Sequence, residues 1–180
     1  EIVCFLDADD GLYPDAARCA VYRFSDLAIV KVHWRLSVVN ESGRPTGKSF
    51  PDREMPKGDL REVVIRDGPY YDTHILPPTS GNAWSRQFLQ QVLPMPANEF
   101  DHGADVYLHT LAPIFGRMDS ISEPLGFYRA HGGNHYWNGG FSDQKVAEYL
   151  GRFESCCAAL RGHLTAAGEI ADEAGWKQRN

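Results

Sequence analysis

The feature that most constrains the fold of this chain is an apolar run, IVCFL at residues 2–6, that ends in three carboxylates. Its length and its β-branched and aromatic content predict a strand buried on both faces. The side chains of Asp7, Asp9 and Asp10 would then lie beyond the carboxyl end of that strand, where open α/β sheets bind ligands. Carboxylates packed so closely repel one another unless a cation lies between them, and Mg²⁺ or Mn²⁺ prefers oxygen ligands. The run therefore predicts a metal-assisted site for a phosphate ester or a nucleotide-sugar.

A simpler interpretation is that these acids form a solvated turn that caps the next helix. Asp10 or Asp15 would suit that role, with Pro14 opening the helix. Because a helix cap rarely needs three acids, we favour the ligand site.

Composition limits the classes of protein to which this chain can belong. A chain of 180 residues fits one domain with a sizeable core, and 43% hydrophobic with 23% charged residues is ordinary for a globular protein. The net charge of −6 argues against nucleic acid as a partner, because nucleic-acid binding needs basic surface. An anionic nucleotide would need a cation or local arginines to bind here.

The cysteines and the apolar runs indicate the compartment. The chain shows no signal peptide and no apolar run near 18 residues, so we expect no membrane span. The four cysteines have no CxxC spacing, which favours a reducing compartment over a disulfide framework or a zinc site. We therefore expect a cytoplasmic protein, either free or peripheral at the inner face of a membrane. The four cysteines are Cys4, Cys19, Cys156 and Cys157. The first strand would bury Cys4.

Hydrophobic periodicity predicts alternating helices and strands along the rest of the chain. The long tail helix carries an apolar stripe that should pack on the domain or on a partner. We expect a first unit at residues 1–141 and a helical tail at 142–180. The predicted helices cover residues 15–24, 59–66, 85–93, a segment from Ala104 and the tail from Ser142; the predicted strands cover 27–40 and 117–129, with a polar loop at 46–56 and a Gly-rich loop at 131–140.

Three separated motifs occur in a suggestive order: DADD at residues 7–10, a lone acid at a helix start in GADVYLHTLA (Asp105), and FYRAHGGN at 127–134. Together they resemble the inverting family-2 glycosyltransferases of the GT-A fold, over the chain from Glu1 to about Trp137. A DxD motif alone is weak, and the combination is much more specific. The resemblance implies an α/β fold with a mixed, Rossmann-like sheet flanked by helices, of which the N-terminal half is missing.

The resemblance also implies roles for individual residues. Asp7 would contact the ribose or uracil side of the nucleotide, and Asp9 would ligate a divalent metal, Mg²⁺ or Mn²⁺, that bridges the diphosphate. Asp105 would be the catalytic base. His131 would meet the metal or the diphosphate, and Arg129 would add positive charge near the diphosphate.

The sequence indicates the residues of the acceptor site less clearly than those of the donor site. The family usually has a glutamate before the catalytic aspartate, and Ala104 replaces it here. Family layout suggests Asn82 and Trp84 as acceptor-site residues. The Gly-rich loop would fold over the donor and exclude water, with Trp137 as a wall. The implied partners are a UDP-, GDP- or dTDP-sugar donor and a glycan, lipid-linked or other hydroxyl acceptor, as in polysaccharide biosynthesis. A homodimer is a further expectation.

The chemistry can be argued without the family. Inverting glycosyl transfer needs a base for the proton of the acceptor hydroxyl and an electrophile for the departing diphosphate. A carboxylate with a pKa near its ordinary value of about 3.9 is ionised at neutral pH and can accept that proton. A divalent metal neutralises charge on the leaving group. A neutral histidine can ligate the metal, and a protonated one can bind phosphate.

Each of these residues also has an ordinary structural interpretation. Asp105 at a helix start could be a cap or a partner of the helix dipole. His131 could be a surface histidine, and Arg129 could be a solvated residue or one member of an ion pair. Asn82 and Trp84 could serve only packing.

Two other functional classes remain open. A haloacid dehalogenase-like phosphatase also ends an apolar strand in D-x-D-G and would use Asp7 and Asp9. Here Asp10 intervenes before Gly11, and no later strand ends in a clear acidic pair. The other class is a sugar-binding or partner-binding domain that has lost the chemistry.

The start of the chain predicts a fragment, because Glu1 leads directly into a core strand without an initiator methionine. We expect the isolated chain to bind a nucleotide-sugar at least roughly tenfold more weakly than the longer protein, a loss of about 1.4 kcal/mol. We also expect it to self-associate through the unpaired edge of its first strand. Calorimetric titration of both proteins with UDP and Mn²⁺, alongside light scattering, tests this expectation. Equal affinities and a clean monomer would contradict it.

Overall fold

The computed structural model describes residues 1–69, 75–96, 98–101, 103–134 and 142–179 of the chain. Six strands and six α-helices lie in this part, with one 3₁₀ turn at Thr79–Gly81. In chain order they are β1 (Ile2–Val3), β2 (Gly11–Leu12), α1 (Ala16–Arg23), β3 (Ile29–Asn40), β4 (Pro45–Phe50), α2 (Arg61–Asp67), β5 (Asn82–Ser85), α3 (Arg86–Val92), α4 (Ala104–Phe115), β6 (Arg117–Ala130), α5 (Asp143–Ala166) and α6 (Glu173–Arg179).

The strands form one mixed sheet in the order β1-β5-β3-β6-β2, and β4 pairs with β3 outside this path. Strands β3 and β6 are parallel, whereas the other pairings are antiparallel. Strand β3 is the centre of the sheet because it pairs with β4, β5 and β6. Its side chains alternate between the two faces, so Val32, Trp34 and Leu36 lie on one face and Lys31 and His33 on the other.

Helices cover both faces of the sheet. On one face, α1 contributes Ala16 and Ala20 to a core that also contains Trp34. The opposite face is covered by a core that includes Trp84 of β5 and Leu111 of α4. This mixed sheet flanked by helices confirms the α/β class predicted from the sequence. No helix in the described ranges is both long enough and apolar enough to cross a membrane.

Most predicted elements occur with the expected boundaries because their caps are local. The hydroxyl oxygen of Ser85 accepts a hydrogen bond from the N–H of Phe88 (3.1 Å) at the start of α3, and α3 ends two residues before Pro94. The hydroxyl oxygen of Ser142 likewise accepts from the N–H of Lys145 (3.3 Å) at the start of α5. These caps satisfy backbone groups that a helix leaves without internal partners.

The first strand differs from the prediction. It spans only Ile2–Val3, and the side chains of Phe5 and Leu6 are 41% and 50% exposed. Cys4 is exposed as well. The prediction of a strand buried on both faces, with Cys4 inside it, is therefore wrong. The physical reason is that β1 lies at the edge of the sheet and pairs antiparallel with β5 alone among the described strands.

The predicted loop at residues 46–56 is also wrong in its first part, because Pro45–Phe50 forms β4. Its composition is polar and has little strand propensity. The end of β3 nevertheless offers unpaired backbone groups, and β4 pairs with them at Leu36–Phe50 and Ser37–Ser49. The hydroxyl of Thr46 adds a hydrogen bond to the carbonyl oxygen of Val38 (2.8 Å).

The two C-terminal helices pack on the rest of the described chain. Helix α5 contributes Cys156 to the core of α3 and α4, and Cys157 to a smaller core shared with α2 and α6. The C-terminal part of the apolar stripe thus packs on the domain, whereas Val146, Tyr149 and Leu150 near the start of α5 are exposed. The predicted boundary at residue 141 lies outside the described residues.

We expect Trp176→Ala to destabilise the protein by about 3–5 kcal/mol, the usual cost of removing a buried tryptophan. Trp176 of α6 is fully buried, and its indole N–H donates to the carbonyl oxygen of Ile65 (2.9 Å). Urea denaturation measures the loss. Ile170→Ala is the control, because Ile170 is 90% exposed and its removal should change stability little. Equal stability of the two variants would contradict the packing of α6.

Candidate active site

The acidic turn between β1 and β2 is held by the 3₁₀ turn at Thr79–Gly81. The N–H of Asp7 donates to the hydroxyl oxygen of Ser80 (3.1 Å), and the N–H of Asp10 donates to the carbonyl oxygen of Asp7 (3.2 Å). Gly11 then starts β2 against β6, where a Cβ atom would lie 2.4 Å from the ring of Phe127. Glycine is therefore needed for the turn to close onto β6.

The three acids of this turn have different surroundings. One carboxylate oxygen of Asp10 accepts the N–H of Arg129 (3.0 Å), and the other is buried without a hydrogen-bond partner in the described part of the chain. Burial raises the pKa of Asp10, although the hydrogen bond from the Arg129 N–H opposes the shift. Asp10 thus faces inward and fastens the turn to β6. The carboxylates of Asp7 and Asp9 are the ones in this turn that remain available to a ligand.

Arg129 fastens the same turn through its side chain. Its Nε donates to the carbonyl oxygen of Asp9 (3.0 Å), and one terminal nitrogen donates to the carbonyl oxygen of Glu41 (3.2 Å) in the turn between β3 and β4. The guanidinium also lies over the ring of Phe127, 5.6 Å from its centroid. These contacts give Arg129 a structural role, and its predicted contact with a diphosphate remains a prediction.

The two residues predicted to bind a metal are in direct contact. His131 Nε2 lies 2.7 Å from a carboxylate oxygen of Asp9. The other ring nitrogen of His131 accepts the N–H of Gly133 (3.0 Å), so Nε2 is the ring nitrogen that faces Asp9 and the side-chain amide nitrogen of Asn134 (3.3 Å). Asn134 orients the histidine, because its side-chain oxygen accepts the backbone N–H of His131 (2.6 Å).

This pair suits a divalent metal that is shared with a substrate. The side chains of Asp9 and His131 are 38% and 27% exposed, so a ligand can reach both. No group of three or more metal-ligating side chains occurs among the residues that the structure describes. Mg²⁺ usually takes only one or two carboxylates from the protein and completes its shell with phosphates and water. Asp9 and His131 would supply two ligands to such a metal, and a divalent metal here remains a prediction.

Asp105 joins this cluster from a distant part of the sequence. It lies in the first turn of α4, and its carboxylate accepts the N–H of Val106 (2.9 Å). Burial raises the pKa of Asp7, and the negative charges of Asp105 and Asp9 add to the shift. Asp105 therefore lies near enough to the acidic turn to act on Asp7 electrostatically.

The carboxyl group of Asp105 is itself perturbed. Burial raises its pKa, while the N–H of Val106 and the positive charges of Arg152 and Lys31 oppose the shift. Helix α4 starts at Gly103, whose φ of 150° is rare for other residues and whose Cβ position lies 3.2 Å from a terminal nitrogen of Arg152. A carboxylate with a raised pKa is a better proton acceptor than an ordinary one. Ala104, which replaces the family's glutamate, is exposed.

Sequence reasoning missed both cations near Asp105. Arg152 lies on α5, far along the chain, and nothing in its local pattern indicates the contact. Lys31 has a local signal, because it is the first charged residue within the buried β3 pattern, IVKVHW. A lysine in a strand that is otherwise covered on both faces is unusual and could have been singled out.

The predicted acceptor residues are buried. Asn82 is fully buried, and its side-chain amide donates to the carbonyl oxygen of Pro78 (2.8 Å). Trp84 is 1% exposed and stacks on Phe88 with ring centroids 5.8 Å apart. Their described contacts are those of packing, and an acceptor role for either remains a prediction. Trp137 lies outside the described residues.

A surface pocket at the start of β6 is remote from these acids. Its lining includes Arg23, Asp26, Arg117 and Asp119. They form two ion pairs, Arg23 with Asp119 (3.1 Å) and Arg117 with Asp26 (3.0 Å). Because these four charges already have partners, the acidic turn is the better candidate site.

A known protein is similar to this chain in sequence, and a solved structure is similar to it in fold. No family model matches the chain. The chain is 28% identical over 136 residues to the uncharacterized glycosyltransferase alr2836 of Nostoc sp. (strain PCC 7120), covering 76% of this chain and 41% of that protein. The chain resembles a glycosyltransferase.

The fold has a similar relative among solved structures. The crystal structure of S. aureus TarS 1–349 in complex with UDP-GlcNAc matches with a TM-score of 0.56 and 16% identity, covering 99% of this chain and 46% of that one. The match supports the mixed α/β fold over the whole chain. The chain spans less than half the length of both relatives. Membership of family 2 and of the GT-A group remains a prediction.

Proposed function

We propose that this chain is part of a glycosyltransferase that moves a sugar from a nucleotide-diphosphate donor to an acceptor hydroxyl with inversion. The observation that carries the proposal is the contact between Asp9 of the acidic turn and His131 of the FYRAHGGN motif (2.7 Å), with Asp105 near enough to raise the pKa of Asp7. Sequence similarity to a glycosyltransferase, although only 28%, supports the same reaction class. The group transferred would be a hexose or a related sugar.

Asp105 would act as the base. The acceptor oxygen forms a bond to the anomeric carbon while the bond to the donor diphosphate breaks. The bonding electrons leave with the diphosphate, and the hydroxyl proton passes to the carboxylate of Asp105. The burial that raises the pKa of Asp105 makes it a stronger proton acceptor, whereas Lys31 and Arg152 favour its ionised form.

Asp9 and His131 would hold a divalent cation, Mg²⁺ or Mn²⁺, together with the donor diphosphate. When bound, the cation would neutralise negative charge on the leaving group. Asp10 and Arg129 would keep the acidic turn in place, because both tie it to β6 through hydrogen bonds. Rigid placement of charged groups is the main way in which proteins assist transfer from phosphate leaving groups.

The donor is proposed to be a UDP-sugar, with GDP- and dTDP-sugars as alternatives. The structural relative TarS was solved with UDP-GlcNAc, and its likeness extends over 99% of this chain. Asp7 would face the ribose or the base. The acceptor would carry a free hydroxyl on a glycan, a lipid-linked sugar or another molecule.

The two alternative functions are a phosphatase and a sugar-binding domain. A phosphatase would use Asp7 or Asp9 as nucleophile, but the sequence relative argues for the transferase. The other alternative is a sugar-binding domain without catalysis. In that case the acids would bind a donor without turning it over.

A donor screen tests the proposal. UDP-, GDP- and dTDP-sugars are incubated with the full-length protein and Mn²⁺, and release of nucleoside diphosphate is measured. We expect release with one donor class, slow with water and faster with a suitable acceptor. p-Nitrophenyl phosphate serves as the phosphatase substrate. Hydrolysis of that ester without any release from the donors would overturn the proposal, and donor binding without release would favour the sugar-binding alternative.

A further inference from the structure

His109 is a buried histidine of α4 that no step of the proposed reaction uses. Its side chain is 4% exposed, and its ring lies 5.5 Å from the ring of Trp84. Its Nε2 atom lies 3.2 Å from the carbonyl oxygen of Pro77. Burial lowers the pKa of His109 well below its ordinary value, so the ring is neutral and carries one N–H. Because a carbonyl oxygen can only accept, that N–H is on Nε2 and donates to Pro77.

The segment that accepts this hydrogen bond, residues 77–81, is also fixed from β5. The side-chain amide nitrogen of Asn82 lies within hydrogen-bond distance of the carbonyl oxygens of Pro77 (3.4 Å) and Pro78 (2.8 Å). A Cβ atom on Gly81 would lie 2.5 Å from the Cβ atom of Pro77, so the segment is tightly folded. The carbonyl oxygen of Pro77 thus joins this segment both to α4 and to β5.

The 77–81 segment in turn holds the acidic turn. Ser80 is 1% exposed, and its hydroxyl oxygen accepts the N–H of Asp7 (3.1 Å). Asp105 precedes His109 by four residues, about one turn of α4. Two hydrogen bonds, joined by the 77–81 segment, therefore connect the helix that carries the proposed base to the turn that would hold the donor.

We propose that His109 is a positioning residue, which through its hydrogen bond to Pro77 fixes α4, and with it Asp105, relative to the acidic turn. This inference rests on the proposed function, in which Asp105 takes the acceptor proton beside a donor held by that turn. The role needs no contact between His109 and the donor or the acceptor. Placement matters for such a step, because a displacement of about 1 Å can lower a rate about 100-fold.

Packing alone does not account for a histidine at this position. A buried polar ring costs free energy unless it is hydrogen-bonded, so an apolar side chain would fill the same space at lower cost. The Nδ1 atom of His109 is buried without a hydrogen-bond partner among the residues that the structure describes. The hydrogen bond to Pro77 is therefore the interaction that a histidine adds to this part of the core.

Exchange of the Asp7 amide proton with water tests this connection without any need for turnover. It is followed by NMR in the wild type, in His109→Leu and in His109→Gln. We expect His109→Leu to speed the exchange about tenfold, because the unpaired Pro77 carbonyl loosens the segment that holds Asp7 through Ser80. His109→Gln should restore the exchange rate of the wild type, since a glutamine amide can donate in place of Nε2.

Tyr107→Phe is the matched control on the same helix. The hydroxyl of Tyr107 donates to the carbonyl oxygen of Val92 (2.7 Å), a buried hydrogen bond that does not involve the 77–81 segment. Its loss should leave the exchange at Asp7 unchanged, and urea denaturation measures the stability of every variant. If His109→Leu does not fold, His109→Asn replaces it, since its shorter amide does not reach the same carbonyl. Unchanged exchange at Asp7 in the variant that folds, or the same increase in Tyr107→Phe, would overturn the inference.

Kinetics provide a readout that a purely structural role would not divide in the same way. We expect His109→Leu to lower kcat about 10- to 100-fold and to leave the donor Kd within about twofold. The donor Kd should persist because Asp10 and Arg129 still tie the acidic turn to β6. His109→Gln should recover most of the lost kcat, and Tyr107→Phe should keep kcat within about twofold.

Equal losses of kcat and donor affinity in His109→Leu, or no recovery in His109→Gln, would contradict the positioning role. If the wild type turns over no donor, the proposed function fails. The exchange of the Asp7 amide still decides whether His109 fixes the acidic turn.

Discussion

Asp105→Asn should lower the turnover rate by roughly 10²–10⁴-fold, with little change in donor affinity, because an amide cannot accept the acceptor proton. Proton transfer contributes only in the transition state, so the loss should appear in kcat. The fold should survive, since burial raises the pKa of this carboxyl group and asparagine is a neutral group of similar shape. Steady-state release of nucleoside diphosphate and calorimetric donor binding measure the two quantities.

A matched control separates catalysis from helix capping. Asp143 is the acidic residue in the first turn of α5, a position like that of Asp105 in α4. Asp143→Asn removes the same interaction with the helix dipole and should leave turnover within about twofold. Equal losses of turnover in the two variants, or an equal loss of donor binding in Asp105→Asn, would mark Asp105 as structural.

Asp9→Asn should abolish turnover that depends on a divalent cation, and a chelator should do the same to the wild type. The side-chain amide of asparagine can hydrogen-bond to the His131 ring in either tautomer, so the contact that now measures 2.7 Å should persist. The variant therefore removes the negative charge that a cation needs and leaves the turn in place. Turnover is measured over a titration of Mn²⁺, and circular dichroism checks the fold.

Asp15→Asn is the control for Asp9, because Asp15 is an exposed acid nearby in sequence that pairs with Arg18. It should leave the response to Mn²⁺ unchanged. Full turnover of Asp9→Asn, or full turnover of the wild type with chelator present, would rule out the proposed metal role of Asp9.

The elements that the sequence predicts well are those with local causes. Helices α3 and α5 start at Ser85 and Ser142, because a serine side chain caps the helix that follows it directly. Strand β3 follows from its run of β-branched and aromatic residues. The order of the acidic turn, Asp105 and the FYRAHGGN motif also indicated a common site, and the fold does bring His131 of that motif against Asp9 of the turn (2.7 Å).

Other features depend on which segments happen to be neighbours in space. The exposure of Phe5 and Leu6 follows from the edge position of β1, and β4 forms because β3 offers it an unpaired edge. Neither condition can be read from local periodicity, since the same apolar run is buried or exposed according to what covers it.

The different roles of the charged residues likewise depend on the tertiary structure. The motif DADD does not say which acid faces inward, and only the backbone N–H of Arg129 selects Asp10 for that role. The spacing of the sequence does not place Lys31 beside the helix that carries Asp105. Sequence patterns report the chemistry that each side chain can perform. The distances and burial that decide its charge and its partners arise only when segments far apart in the chain pack together, because electrostatic interaction and desolvation depend on position in space.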